Sequence, residues 1–367
     1  MQLPNSTLLI IITLFIIFII YIMMPRNIET MHPIPNNIQK SFDNIINEYH
    51  IPGAILAIDS PTKGTYILKH GFSNIDTKTP VDIDTLWPIR SITKSFTVSL
   101  ILQLVDEGRI SLDDTISKYI SNIPNGNNVN LRQLANMSAG IPDYVSNTFV
   151  EEFNKNPNKL FTLNELNNYI GGQTLLSQPG EKYIYNNANI NLLGRVVEQV
   201  MGQPFAAVLE SKLLIPLGLH NTHYITDVKK TNGKLATGYQ FIDGKWVIQP
   251  NNLSIYGPSG GMVSTLSDQL KWAYALGQGI FLTPQTNATK FDAHQFEKGP
   301  EYNKYGLGIG ELDGWWGHTG NGNGINALTM HNLQTKESIV IFMNISGKNI
   351  HPPTKLFHMI VKNLSEK

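Results

Sequence analysis

The chain predicts an α+β fold: one antiparallel sheet built from the two chain ends, with a helical lobe inserted between them. Strand-like runs over residues 53–58 and 65–70, on either side of a turn, open the globular part. Helical periodicity then dominates to about residue 285 and is clearest in NANINLLGRVVEQVM, residues 187–201. Strand-like runs return at residues 305–309, 325–330 and 338–344, ahead of a helix at about 353–364. A sheet made from both termini brackets the intervening helices, and the cleft between the two is where a site is expected.

From the N-terminus, residues 8–24 form an apolar run of 17 residues interrupted only by Thr13 and Tyr21. That is the lower limit for a membrane-spanning helix, and no small-residue cleavage site follows it. Residues 1–24 are therefore expected to be an uncleaved membrane anchor, ahead of a signal segment and then a buried core helix. Arg26 follows the run while residues 1–7 carry no Lys or Arg, which by the positive-inside rule favours a cytoplasmic C-terminal side. Residues 25–35, PRNIETMHPIP, form a proline-bearing linker. Residues 36–367 read as one mixed domain that begins with an amphipathic helix at 38–49, its helical lobe covering approximately 96–285.

Composition removes several function classes. The 367 residues hold 28 basic and 28 acidic side chains and no basic run, so there is no electrostatic footprint for nucleic acid. Cysteine is absent, which excludes thiolate catalysis, disulfides and cysteine-ligated zinc. The ten histidines include no His-Glu-x-x-His pattern and no cluster at ligand spacing, so no metal site is expected.

Ser91-Ile92-Thr93-Lys94 opens the apolar run SITKSFTVSLILQLVDEG, a predicted helix closed by Gly108. Residues at i and i+3 share a helix face, so the Ser91 hydroxyl and the Lys94 amine point the same way. An amine beside the positive end of a helix in a dry site tends to lose its proton and become a base for the serine. The plain alternative is an N-capping serine followed by a solvated lysine. Tyr185-Asn186-Asn187 sits on a turn that enters the 187–201 helix, where Tyr185 can pass protons and Asn187 can hold an amide. His318-Thr319-Gly320 precedes Asn321-Gly322-Asn323-Gly324; His318 and Thr319 can bind a carboxylate, Gly320 admits a substrate backbone, and a backbone N–H just beyond can serve an oxyanion hole. The plain alternative there is a hairpin turning at Asn323-Gly324 with His318 exposed. Gly257-Pro258-Ser259-Gly260-Gly261 matches the nucleophile elbow of α/β-hydrolases, yet no buried strand precedes it, so it is expected to be a close-packed turn at the cleft edge.

These three motifs, in this order, resemble the penicillin-recognising serine hydrolases, within them the branch of class C β-lactamases and secreted D-alanyl-D-alanine carboxypeptidases. Similar surroundings include Ser138-Ala139-Gly140-Ile141-Pro142-Asp143-Tyr144, Pro179-Gly180, Leu192-Leu193-Gly194, Pro216-Leu217-Gly218-Leu219 and Gly260-Gly261-Met262, and the resemblance runs from about residue 36 to the C-terminus. It implies a β-lactamase/transpeptidase-like α/β sandwich. It implies Ser91 as acylated nucleophile, Lys94 as its activator and Tyr185 as proton shuttle, either Lys94 or Tyr185 being the base. Asn187 would contact a substrate amide, and His318, Thr319 and Gly320 would bind its carboxylate end. Backbone N–H groups of Ser91 and Asn321 would form the oxyanion hole. Class C β-lactamases usually have lysine where this chain has His318; a histidine is only partly charged at neutral pH and grips a carboxylate less firmly. A second departure is Asn321-Gly322-Asn323, where relatives often carry a second glycine and then a proline-glycine pair.

The resemblance implies a cofactor-free serine hydrolase acting through an acyl-enzyme on D-Ala-D-Ala-type peptides or β-lactams. The alternatives are an esterase of the same fold and a non-catalytic scaffold with a retained site. The expected partners are a small peptide, β-lactam or ester and, through residues 1–24, a membrane. A peptidoglycan substrate would put the catalytic domain outside the cytoplasmic membrane, against the indication of Arg26.

Overall fold

The computed structural model describes residues 34–365, apart from 226, 228–230, 232, 348 and 349. An eight-stranded antiparallel sheet is assembled from both ends of the chain. The N-terminal part gives β1 (Gly53–Ser60), β2 (Gly64–Asn74) and β3 (Thr79–Pro80). The C-terminal part gives β4 (Lys304–Tyr305), β5 (Gly310–Leu312), β6 (Trp315–Gly322), β7 (Ile325–Asn332) and β8 (Ser338–Met343). The spatial order is β3-β2-β1-β8-β7-β6-β5-β4, so the two ends of the chain meet where β1 pairs with β8, Ala57 opposite Val340. Every residue of β1 and β8 is buried, because helices cover both faces of the sheet at its centre.

Helices α1 (Asn36–Tyr49) and α5 (Pro352–Ser365) pack together, with α5 against β7 and β8; α4 (Leu266–Gln278) packs on β1, β6, β7 and β8. Between the halves lie α2 (Thr93–Asp106) and α3 (Asn187–Met201), the two long helices of the lobe, packed on each other. Every residue of α2 from Thr93 to Leu102 is buried, the polar Thr93, Lys94, Ser95, Thr97 and Ser99 included. Phe96 stacks on Trp272 of α4 with ring centroids 3.7 Å apart, and the indole N–H of Trp272 donates to Ser95 Oγ at 3.0 Å. These contacts fix α2 to the sheet side of the core.

Two local expectations change. The run at 305–309 is not one strand: Tyr305 ends β4 and Gly310 begins β5, with Gly308 between them at φ +68°, a tight reversal that Gly tolerates. The lobe also carries strands, a three-stranded piece (Trp87–Pro88, Met262–Ser264, His223–Tyr224) and a hairpin (Tyr239–Ile242 with Lys245–Ile248).

The expectation of a membrane anchor, a membrane partner and a membrane-anchored extracytoplasmic location is corrected. Among the described residues no helix is long and apolar enough to cross a membrane. The longest of them, α3, has 15 residues, short of the roughly 20 that a span requires. Residues 8–24, on which that expectation rested, lie outside the described residues.

Gly194 on α3 marks the closest helix-to-turn approach in the lobe: a Cβ there would sit 2.4 Å from Pro258 Cγ. An alanine in a helix normally gains up to about 1 kcal/mol over glycine. Gly194→Ala is instead expected to destabilise the fold by about 1–3 kcal/mol through overpacking. Urea unfolding midpoints with unchanged m-values will show the sign.

Candidate active site

Ser91 lies not in α2 but in a 3-10 turn, Arg90–Ile92, that leads into it. Ile92 occupies the N-cap position and makes no side-chain cap, so Ser91 is no helix cap. Its hydroxyl instead accepts from Lys94 Nζ at 3.1 Å. Lys94 is fully buried, and Nζ also donates to Asn187 Oδ1 at 2.7 Å and to the Ser259 carbonyl at 2.9 Å. Its three hydrogens thus meet three neutral oxygens. Burial pulls the Lys94 amine down from its ordinary 10.5 to about 7, against the opposing pull of Asp143. Keeping the proton on this amine is disfavoured by on the order of 5 kcal/mol relative to water.

Each acceptor has its own support. Asn187 is the first residue of α3, whose N-cap Asn186 accepts from the Asn189 N–H at 3.0 Å and donates to the Ile141 carbonyl at 2.7 Å. The Asp143 carboxylate receives the backbone N–H groups of Asn187 (3.1 Å) and Ala188 (3.2 Å), where the helix dipole favours an anion. It also takes Asn187 Nδ2 at 3.1 Å, which turns the carboxamide oxygen to Lys94. Ser259 is held by Asn191 Oδ1, which accepts its N–H at 2.9 Å, and by Thr97 Oγ1, which donates to the neighbouring Pro258 carbonyl at 2.7 Å. Ser259 Oγ donates to the Tyr256 carbonyl at 2.6 Å, so the elbow-like motif turns its hydroxyl into its own backbone.

The Tyr185 ring lies with its centroid 4.9 Å from Lys94 Nζ, and its buried hydroxyl makes no well-formed hydrogen bond among the described residues, the Ser91 hydroxyl being a polar neighbour. Burial and the neighbouring Tyr302 push this phenol well above its usual range, with the Ser91 hydroxyl acting the other way. Of the two candidate bases, neutral Lys94 is therefore the more accessible near neutral pH.

The third motif is arranged differently from its expectation. His318 is buried, its Nδ1 lies 2.6 Å from the Thr319 carbonyl oxygen and its Nε2 3.0 Å from the Tyr305 hydroxyl. A carbonyl only accepts, so Nδ1 carries the hydrogen and Nε2 receives that of Tyr305. Burial first, then the nearby Lys94, hold the imidazole down at about 3. His318 is thus a neutral strut behind the wall, not a charged carboxylate grip. The Tyr302 hydroxyl accepts the Thr319 N–H at 2.7 Å and lies 2.8 Å from Thr319 Oγ1. Gly320 has a different neighbour too: a Cβ there would sit 2.4 Å from the Ile89 carbonyl oxygen, and its absence lets β6 lie against the Ser91 turn.

Ser91, Tyr185, Thr319, Gly320 and Asn321 share one open cavity of about 280 Å³. Glu301 and His351 line it as well, and His351 Nδ1 is 3.3 Å from Asn321 Nδ2. Among the described residues lining it there is no lysine or arginine.

The sequence pattern of the β-lactamase family matches residues 38–356. The chain belongs to that family. Its fold is β-lactamase/transpeptidase-like, that of serine hydrolases. Protein flp of Staphylococcus aureus (strain N315) is 32% identical over 250 residues, 65% of this chain and 48% of that one. The D-aminopeptidase of Brucella anthropi is 25% identical over 232 residues, 62% of this chain and 43% of that one. The chain thus spans about half the length of the curated relatives it matches. The D-amino acid amidase of Ochrobactrum anthropi SV3 has the same fold, with a TM-score of 0.79 at 22% identity over 90% of this chain and 99% of that one.

Sequence reasoning gave no role to Asp143, to the Ser259 carbonyl, or to Tyr302 and Tyr305. Asp143 stands in the quoted family-like segment, but it meets Asn187 from 44 residues away, with no local signal. A neutral-amine base requires activity to rise with pH through Lys94's value of about 7. Asp143→Asn removes the charge that holds the ammonium form up, so the midpoint of the kcat/KM profile is expected to move to lower pH. Ester hydrolysis followed from pH 5 to 9, in both proteins, measures it.

Proposed function

We propose that this protein cleaves amides of D-configured amino acids bearing a free amino group, by way of an ester on Ser91. The observation that carries this reading is the charge of the cavity: Glu301 is the carboxylate of its wall, no lysine or arginine is among its described lining residues, and His318 is buried and neutral. An ammonium fits that wall better than a carboxylate does. The D-aminopeptidase and D-amino acid amidase likenesses support the same choice. The D-Ala-D-Ala-type carboxypeptidase reading needs a cation for the substrate's terminal carboxylate, so it stands second.

In this reading Lys94 takes the Ser91 proton as Oγ attacks the amide carbon. The oxyanion sits between the backbone N–H groups of Ser91 and Asn321, each donor of such a pair contributing about 3–4 kcal/mol to the transition state. Collapse expels the amine, which takes its proton from the Tyr185 hydroxyl, and Tyr185 is reprotonated from the Lys94 ammonium. Neutral Lys94 then takes a proton from water, directly or with Tyr185 relaying it, as the water oxygen attacks the ester; the acid leaves and the Lys94 ammonium returns the proton to Ser91 Oγ. Asn187, held by Asp143, keeps the Lys94 amine aimed at Ser91 throughout.

D-Alaninamide, N-acetyl-D-alaninamide and N-acetyl-D-Ala-D-Ala, compared by product release, test the assignment. The free-amine amide is expected to exceed its acetylated form in kcat/KM by about fivefold or more, a charge pair at a partly wet site being worth on the order of 1 kcal/mol or above. Glu301→Gln is expected to erase that difference and Ser91→Ala to abolish all turnover. Preference for the acetylated dipeptide would replace this reading with the carboxypeptidase; equal turnover of the L-amide would remove the D-selectivity.

A further inference from the structure

Arg90, directly before the candidate nucleophile, is the least expected residue of the site. It holds φ at +51°, a left-handed backbone that arginine seldom adopts, and its side chain is 1% exposed. Nε donates to the Gly322 carbonyl at 3.0 Å and Nη2 reaches the Asn323 carbonyl at 3.4 Å, while the guanidinium carbon lies 4.7 Å from the centre of the Tyr256 ring. Nη1 makes no hydrogen bond, and no ion pair joins Arg90 to a carboxylate among the described residues. A buried guanidinium without a carboxylate is costly, and an apolar chain of similar volume would fill the same space without that cost. Stability alone therefore gives no reason for a cation here.

Its acceptors indicate the reason. Gly322 ends β6 and Asn323 begins the turn to β7, one and two residues past Asn321. That turn is rigid in its own right: Asn323 and Gly324 have φ +41° and +79°, the pattern of a two-residue type I′ hairpin, and Gly324 N–H donates to Ser346 Oγ at 2.7 Å. On the other side, Gly320 lies against the Ile89 carbonyl. Arg90 thus ties the Ser91 turn to the strand end that carries Asn321, spanning the two proposed oxyanion donors.

We propose that Arg90 is a positioning residue that fixes the separation and aim of the Ser91 and Asn321 N–H groups, so that its fork of two carbonyl contacts sets the rate of attack at Ser91. The proposal rests on Ser91 as nucleophile, part of the function proposed above, but not on the identity of the substrate.

The test is the second-order labelling of Ser91 by a fluorophosphonate, in which Oγ displaces fluoride from phosphorus and the phosphoryl oxygen occupies the oxyanion position. Wild type, R90M, R90K and S91A are compared below their melting temperatures, with p-nitrophenyl acetate hydrolysis alongside. R90M is expected to label about 100-fold more slowly, the cost of losing one oxyanion donor, with the pH midpoint of labelling unmoved because the Lys94 contacts are untouched. R90K keeps the charge but not the fork and is expected to recover only part of the loss. A reduced KM-independent rate in folded protein is something a merely structural residue would not give. Labelling of R90K within about threefold of wild type overturns the proposal, whether or not R90M folds. Labelling of S91A at the wild-type rate would instead remove the nucleophile assignment on which it rests.

Discussion

The site depends on a fully buried lysine amine given neutral oxygens to bond. Among the described residues no carboxylate is bonded to Lys94 Nζ; the negative charge that acts on it, Asp143, is joined to it through Asn187. A direct carboxylate would have fixed the ammonium form. Three carbonyl or hydroxyl acceptors satisfy the amine's hydrogens without that penalty, and they come from three places: the Ser91 turn, the first residue of α3 and the Ser259 turn. Much of the lobe's packing serves to bring those places together. Tyr144, whose hydroxyl donates to the Ile255 carbonyl at 2.6 Å, ties the segment carrying Asp143 to the one carrying Ser259.

The same dry interior decides the character of the third motif. His318 is enclosed by Tyr302, Tyr305 and the ring of Tyr185, and the proximity of Lys94 adds to the cost of protonating it. A site with a second cation there would have two amine-like groups competing to stay neutral. With a neutral imidazole, the hydroxyls of Tyr302 and Tyr305 become ordered by it, and Thr319 is the motif's polar contact with the cavity. The charged side chain among the described lining residues is then Glu301, on the outer wall of the cavity.

How much of this was legible depended on range along the chain. The Ser91–Lys94 pair, the 187–201 helix and the Asn323-Gly324 turn are local patterns, and each appears where its spacing puts it. The sheet from both termini followed from counting strand-like runs. What could not be read was settled by contacts between distant segments. Asp143 to Asn187, Arg90 to Gly322 and His318 to Tyr305 are tertiary meetings with no periodicity to announce them. The division of residues 305–309 was missed for a related reason: apolar composition suggested one strand, while glycines at 306 and 308 permitted a reversal.

Two glycines set the tolerance around Ser91 from opposite sides. Gly320 lets the sheet approach the Ile89 carbonyl two residues before Ser91, and Gly194 lets α3 approach Pro258 just before the carbonyl that holds Lys94. In each a single added carbon would meet an atom at 2.4 Å, a backbone oxygen at Gly320 and a prolyl ring carbon at Gly194, so close packing fixes the surroundings of Ser91 and Lys94. The segments that finish the cavity, residues 299–302 and 351–354, take no part in those approaches. On the proposed reading, substrate choice and acyl transfer fall to separable parts of the fold: a change at Glu301 alters the charge of the cavity wall, whereas a shift at either glycine moves the surroundings of Ser91 or Lys94.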